Sequence, residues 1–148
     1  MRVIDYFSKD SVLFLNNKDK SEILSTMISK AAENGLISDK EEFKDAIFER
    51  ESIMSTDVGW QVAIPHAKLK SISKFFVIPA VLKNDTDWGA GNDQSVRLVF
   101  LIGGPADQQK QYLQILSKVT LVLRNAKRRQ ALLSSTTAEE VLSQFADL

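Results

Sequence analysis

The chain contains no cysteine and a single histidine, and its charges cancel, nineteen lysines and arginines against nineteen aspartates and glutamates. Without cysteine, thiol nucleophiles, thiolate metal sites and a disulfide framework are excluded, and the composition agrees with a reducing compartment. A lone histidine leaves a stable zinc site short of its three or four ligands, so no metal and no cofactor are expected. No serine lies in a nucleophile-elbow pattern, which sets aside a serine-hydrolase triad. A net charge of zero offers no general attraction to nucleic acid, and the basic cluster Arg124 to Arg129 reads as a solvated helix end. No apolar run approaches the roughly 20 residues that span a bilayer, and Met1-Arg2-Val3-Ile4-Asp5-Tyr6 lacks the long apolar region of a signal peptide. No membrane insertion and a cytoplasmic location are expected.

What is present is an ordinary globular composition. The 148 residues, 44% hydrophobic and 26% charged, suit one domain whose core removes roughly 70% of the unfolded chain's surface from water. A helical turn over 2–8 precedes Val12-Leu13-Phe14-Leu15, a short strand ended by Asn16-Asn17. Asp19-x-x-Glu22 caps a helix whose Ile23, Leu24, Met27, Ile28 and Ala31 recur at helical spacing until Asn34-Gly35. Ser38-x-x-Glu41 forms a second capping box, opening a helix with Phe43, Ala46 and Ile47 on its stripe. Phe75 to Leu82 predicts a strand, with Pro79 at an edge or bulge because proline removes a ladder donor. Lys83 to Asp93 predicts a loop or short hairpin carrying Trp88, and Val96 to Ile102 a second strand closed by Gly103-Gly104-Pro105. Asp107 is placed to cap a helix with the stripe Tyr112, Ile115, Leu116, Val119, Val122 and Leu123. Thr137-x-x-Glu140 caps a last helix carrying Val141, Leu142 and Phe145. No internal repeat or low-complexity linker interrupts this order. Helices at both ends and between strands predict a single α/β domain over 1–148, a small mixed β-sheet flanked by helices on both faces.

The histidine arrives in Val62-Ala63-Ile64-Pro65-His66-Ala67-Lys68. Proline fixes φ and biases its predecessor towards extended geometry, so this run reads as a buried strand or tight turn that holds the imidazole at a surface. Earlier in the chain, Arg50 falls where the Phe43 stripe calls for an apolar residue. Either its stem covers apolar surface while its head reaches water, or its planar five-donor fork is offered to an anion. A neutral imidazole, with an ordinary pKa near 6.5, has a free lone pair at neutral pH and can attack a phosphoryl group directly. The resulting N–P bond is high in energy, so transfer between two imidazoles is near balance. The protein's work is then to align donor and acceptor and to hold the phosphoryl oxygens. Arg50, Thr56 and backbone N–H groups around Val58, Gly59 and Ala67 fit that need. Gly59 lets the backbone approach closely, and the Thr56 hydroxyl donates either to phosphate or to the idle ring nitrogen that fixes the tautomer. A structural histidine, satisfied and partly buried at a strand end, fits the same spacing.

Arg50-Glu51, Ser55-Thr56, Gly59 and above all Ala63-Ile64-Pro65-His66 resemble the active-site signature of enzyme IIA domains of the fructose/mannitol and nitrogen-regulatory class in the bacterial phosphotransferase system. The likeness continues, in order and spacing, through Pro105-Ala106-Asp107-Gln108, the helix from Tyr112 to Leu123, and Thr136 to Leu142, and so covers nearly the whole chain. The resemblance implies the family's α/β sandwich and a phosphotransferase with a phosphohistidine intermediate. It implies His66 as phosphoryl acceptor, charged by the phosphohistidine of HPr or its nitrogen-branch relative, and Arg50 as the group that stabilises the phosphoryl group.

Where sugar-transporting members carry a second active-site histidine, this chain has Tyr112, which hydrogen-bonds phosphate or His66 but neither titrates near neutral pH nor carries positive charge. Asp57 and Gln61 stand where the family has glycine; an inward Asp57 would repel an incoming dianion, so it is expected to face solvent. Three functions stay open. The first is a regulatory phosphocarrier of the nitrogen type, whose phosphorylation state governs binding to protein targets; Pro105-Ala106-Asp107-Gln108 and the lack of an attached IIB or IIC segment point that way. The second is a sugar-specific IIA subunit that passes phosphate to a IIB cysteine for fructose/mannitol-type uptake. The third is a docking module without phosphotransfer, with Trp60 as an aromatic anchor.

Overall fold

In the two long apolar runs, successive side chains point to opposite faces, and this alternation sorts the molecule into layers. The computed structural model describes residues 2–17, 19–89 and 95–148. Its strands are β1 (Leu13–Leu15), β2 (Asp57–Gly59), β3 (Val62–Ala63), β4 (His66–Leu69), β5 (Phe76–Thr86) and β6 (Val96–Pro105). Its helices are α1 (Lys20–Glu33), α2 (Lys40–Ile53), α3 (Gln109–Leu123), α4 (Ala126–Leu133) and α5 (Ala138–Ser143), with a 3-10 turn at Val3–Tyr6. The strands form one mixed sheet in the order β1-β5-β6-β3-β2, with β4 also on β6. The central pair β5 and β6 is antiparallel, while β1 runs parallel to β5 and both β3 and β4 run parallel to β6.

On one face Phe76, Ile78, Ala80, Leu82, Val99 and Leu101 meet α1 and α2 through Ile23, Leu24, Met27, Ile28, Phe43 and Ile47. On the other, Val77, Val81, Leu98, Phe100 and Ile102 meet Ile115, Val119, Val122 and Leu123 of α3, Leu132, Val141 and Phe145. Helices thus cover both faces of a small mixed sheet, as the order of elements predicts. Asp19 and Thr137 cap α1 and α5 through their side chains, and Gly35 follows α1 at φ +71°.

Four local expectations give way to tertiary context. Asp39, not Ser38, caps α2, accepting from Glu42 N–H at 3.0 Å. Gln108, not Asp107, precedes α3, and it makes no side-chain cap. Pro79 lies neither on an edge strand nor at a bulge: it pairs with Phe100, and the β5 irregularity comes later, between Val81 and Thr86. The expected edge position nevertheless holds locally: the three-residue β1 begins its register at Ala80, so no β1 residue stands beside Pro79 to miss its absent N–H. The stretch from Lys83 is partly strand, since β5 runs on to Thr86, and the remainder of that expected loop from 90 to 93 lies outside the described residues.

Gly103-Gly104 does not close the strand. Both glycines and Pro105 continue β6, paired with Ala67, Lys68 and Leu69 of β4. The glycines are there for space: a Cβ on Gly104 would sit 2.0 Å from Phe75 Cδ1, and one on Gly103 would sit 2.4 Å from Phe76 Cζ. Gly104→Ala is therefore expected to lower stability by about 1–3 kcal/mol, the usual cost of overpacking, as a lowered midpoint in urea at unchanged slope. An unchanged midpoint would mean that the Phe75 ring moves aside freely.

Candidate functional site

The strand that carries the histidine is broken in two. β3 and β4 lie end to end along β6, with Ile64-Pro65 as the step between them; the Pro65 carbonyl accepts Ile102 N–H at 3.0 Å, and Ile64 N–H donates to Thr56 at 3.0 Å. That step lets the His66 ring fold back, so that Nδ1 lies 2.9 Å from the Ile64 carbonyl oxygen. A carbonyl only accepts, so Nδ1 carries the proton and Nε2 keeps its lone pair. The expected Thr56 contact to the ring is not made, because the neighbouring carbonyl already occupies that nitrogen.

Thr56 is buried and faces the other way. Its hydroxyl donates to Glu51 Oε1, its N–H donates to Glu51 Oε2 at 3.3 Å, and its oxygen accepts Trp88 Nε1–H at 3.3 Å. Glu51, whose side chain is 5% exposed, pairs with Lys20 at 2.9 Å. The Trp88 carbonyl takes Lys20 Nζ at 3.0 Å and the Ser55 hydroxyl at 3.2 Å. This network fastens the segment after α2 to the end of β5. A buried carboxylate tolerates its position only when paired and hydrogen-bonded in this way. Sequence reasoning missed Lys20, Glu51 and Trp88 as supports, although a large aromatic in an otherwise polar stretch was a signal.

Arg50 lies in the last turn of α2, where a cation suits the helix dipole, and its Nη1 donates to the Met54 carbonyl at 3.0 Å. With Thr56, Asp57, Val58, Trp60, Ile64, His66 and residues of α3 it lines a largely apolar cavity of about 360 Å³. Tyr112 stands against the imidazole, with ring centroids 5.6 Å apart, and stacks on Phe75. Gly59 adopts φ +89° at the end of β2, and its N–H is taken by Asp57 Oδ1 at 2.8 Å. Asp57 therefore does not face solvent as expected: Oδ1 is drawn into a local turn, and Oδ2 is buried with no partner among the described residues. Trp60 and Gln61 join β2 to β3 with φ +55° and +65°, a left-handed pair that bulky residues rarely adopt. Trp60 is 44% exposed, and Arg129 stacks on it with its guanidinium carbon 5.3 Å from the ring.

Burial holds the His66 pKa below its ordinary value, against the raising effect of the Ile64 carbonyl; Arg50 and Lys68 lower it further and Glu51 raises it. The fold thus favours the neutral ring, the form with a nucleophilic nitrogen. Tyr112 is pushed upward by burial, partly countered by Arg50, so its hydroxyl remains a donor at neutral pH. The chain has one histidine, so a proton NMR titration reads one imidazole, and its midpoint is expected below about 6.5. As pH falls the unfolded chain takes the proton first. Stability that depends on neutral His66 is complete above about 6.5 and is lost as pH falls through the lowered folded value. A midpoint at or above 6.5 would contradict this environment.

Among the described residues no helix is long and apolar enough to cross a membrane, and no group of three or more His, Asp or Glu is placed to hold a metal ion.

A family model described as "Phosphoenolpyruvate-dependent sugar phosphotransferase system, EIIA 2" matches residues 5–147. The chain is 32% identical over 131 residues to the "PTS system fructose-specific EIIA component" of Haloferax volcanii, covering 86% of this chain and 85% of that protein. It is 30% identical over 147 residues to the "Nitrogen regulatory protein" of Bradyrhizobium diazoefficiens, covering 99% and 95%. It is also 27% identical to the fructose-specific EIIABC component of Bacillus subtilis, of whose length it spans 22%, while 96% of this chain is covered. The same fold occurs in IIA-Ntr of Neisseria meningitidis, with a TM-score of 0.89 at 21% identity over 97% of this chain and 98% of that one. It occurs too in the mannitol enzyme IIA of Escherichia coli, solved in complex with phosphorylated enzyme IIB, with a TM-score of 0.83 at 20% identity over 96% and 99%.

Proposed function

Because this chain belongs to the phosphoenolpyruvate-dependent sugar phosphotransferase system EIIA 2 family, a family of phosphotransferases, we propose that it is a phosphocarrier that accepts a phosphoryl group on Nε2 of His66. The donor in this reading is the phosphohistidine of HPr or of a nitrogen-branch HPr-like protein, and the phosphorylation state governs binding to regulatory protein targets. The observation that carries the reading is the Nδ1 contact to the Ile64 carbonyl, which leaves Nε2 unprotonated on a ring whose pKa is held down.

The Nε2 lone pair forms the new N–P bond as the donor's N–P bond breaks, and that electron pair returns to the donor ring. The positive charge His66 gains is eased by Nδ1–H donating to the Ile64 carbonyl. Arg50 meets the phosphoryl oxygens with the part of its fork that Met54 does not use. Tyr112 offers its hydroxyl. Thr56, with both donors committed to Glu51, supports the cavity wall and does not bind phosphate itself. Gly59 acts through its backbone conformation, its N–H being committed to Asp57.

Tyr112 favours regulation over transport, because a neutral phenol cannot supply the titrating or positively charged group that a second histidine would. The runner-up, a sugar-specific IIA subunit passing phosphate to a IIB cysteine, is favoured by the identity to the haloarchaeal fructose protein. Incubation with phosphoenolpyruvate, enzyme I and HPr is expected to give an acid-labile phosphate on this chain. Subsequent addition of a fructose-type or mannitol-type IIB separates the two readings: retained label supports regulation, and label moving to the IIB cysteine supports transport. No label on this chain beside an active control IIA would leave docking without phosphotransfer.

A further inference from the structure

A phosphoryl dianion on His66 would arrive in a site whose nearby charges are poorly matched to it. Glu51 is balanced by Lys20, but Asp57 keeps a carboxylate oxygen with no partner among the described residues in the same cavity wall as Arg50. One arginine then faces roughly two negative charges on the phosphoryl group as well as Asp57, and Tyr112 adds a dipole but no charge.

A second cation stands beside the ring. His66 and Lys68 are both on β4, opposite Ile102 and Gly104 of β6, and alternate residues of a strand share a face. Both reach the Tyr112 ring: its centroid is 5.6 Å from that of His66, and Lys68 Nζ is 4.9 Å from the same ring. Lys68 also donates to the Gln109 side-chain oxygen in the first turn of α3. Both of these partners are neutral, so they hold the ammonium without cancelling its charge. A flexible four-carbon stem permits it to be redirected while the strand stays fixed.

We propose that Lys68 is the second positive charge for a phosphoryl group on His66, and that it leaves Gln109 and the Tyr112 ring to reach it. The proposal rests on His66 being the acceptor. Its consequence is a local readout: phosphorylation frees the Gln109 amide and one face of Tyr112 at the start of α3, beside the site, where a partner protein can read the change.

The test compares Lys68→Gln and Lys68→Arg with the unmutated chain. Lys68→Gln is expected to take up phosphate from phospho-HPr about 10- to 100-fold more slowly at low salt, and Lys68→Arg within a few-fold of the unmutated rate. Because slower uptake alone would also follow from weaker docking, the phosphorylated proteins are titrated by phosphorus NMR. A nearby cation favours the dianion, so the phosphoryl ionisation is expected at higher pH in Lys68→Gln than in the unmutated protein. In the unmutated chain the Gln109 amide and Tyr112 ring signals shift on phosphorylation, and in Lys68→Gln that shift is largely lost. An unmoved phosphorus titration in Lys68→Gln overturns the proposal whatever the uptake rate, while leaving His66 as acceptor intact. If the unmutated chain takes up no phosphate beside an active control, both readings fall together.

Discussion

His66→Gln is expected to take up no acid-labile phosphate above background from phosphoenolpyruvate, enzyme I and HPr, under conditions that label the unmutated chain fully. No other imidazole exists in the chain to substitute. A glutamine amide has no nucleophilic nitrogen lone pair at any accessible pH, so the loss is complete and not graded. The fold is expected to survive. His66 pairs with Ile102 through backbone, which the substitution leaves in place. Its side-chain bond to the Ile64 carbonyl is of a kind worth about 0.5–1.5 kcal/mol, and a glutamine N–H can replace part of it. A cooperative melt near that of the unmutated protein, with no label, is the expected pair of results. Acid-labile label persisting on His66→Gln would remove His66 from the chemistry altogether.

Arg50→Gln is the second large effect. Removing one preorganised group that meets developing charge on the transferring oxygens costs about 10²–10³-fold in rate, and Arg50→Lys should recover part of this because it keeps the charge but loses the planar fork. A second readout is independent of phosphate. Burial dominates the lowered His66 pKa, but Arg50 contributes to it, so Arg50→Gln should move the imidazole midpoint upward, towards the ordinary value. Should Arg50 serve only to cover apolar surface with its stem, the uptake rate of Arg50→Gln would equal that of the unmutated chain. The structure already places Arg50 in the cavity wall with His66, its guanidinium reaching across the end of α2 to the Met54 carbonyl.

Much of the architecture was legible because it follows from local period. The two continuous apolar runs marked β5 and β6 as strands buried on both sides, and the helical stripes of α1 and α3 met their faces as their spacing implied. Errors arose where a local signal had two physical causes. Gly103-Gly104 has the composition of a turn, but the glycines make room for the Phe75 and Phe76 rings within a continuous strand. Ser38 and Asp39 are adjacent and equally suitable caps by residue type, and the helix begins after the second of them. Asp107 lost its cap role because the chain enters α3 one residue later, at Gln108.

In the candidate site the division is sharper. Composition and spacing already marked the candidates, one imidazole delivered after a proline and one arginine where the Phe43 stripe calls for an apolar residue, since residue type and period are properties of a short segment. How their neighbours are used depends on the folded chain. It turned Thr56 towards Glu51 and Trp88, drew Asp57 inward, set Tyr112 and Lys68 beside the ring, and assigned the Ile64 carbonyl to Nδ1. The Trp88, Tyr112 and Lys68 contacts join residues far apart in the chain, and the Ile64 carbonyl is set by a backbone step fixed by pairing with β6; the Asp57 turn and the Thr56–Glu51 bonds are short in sequence, but which way those side chains turn follows from the packing around them.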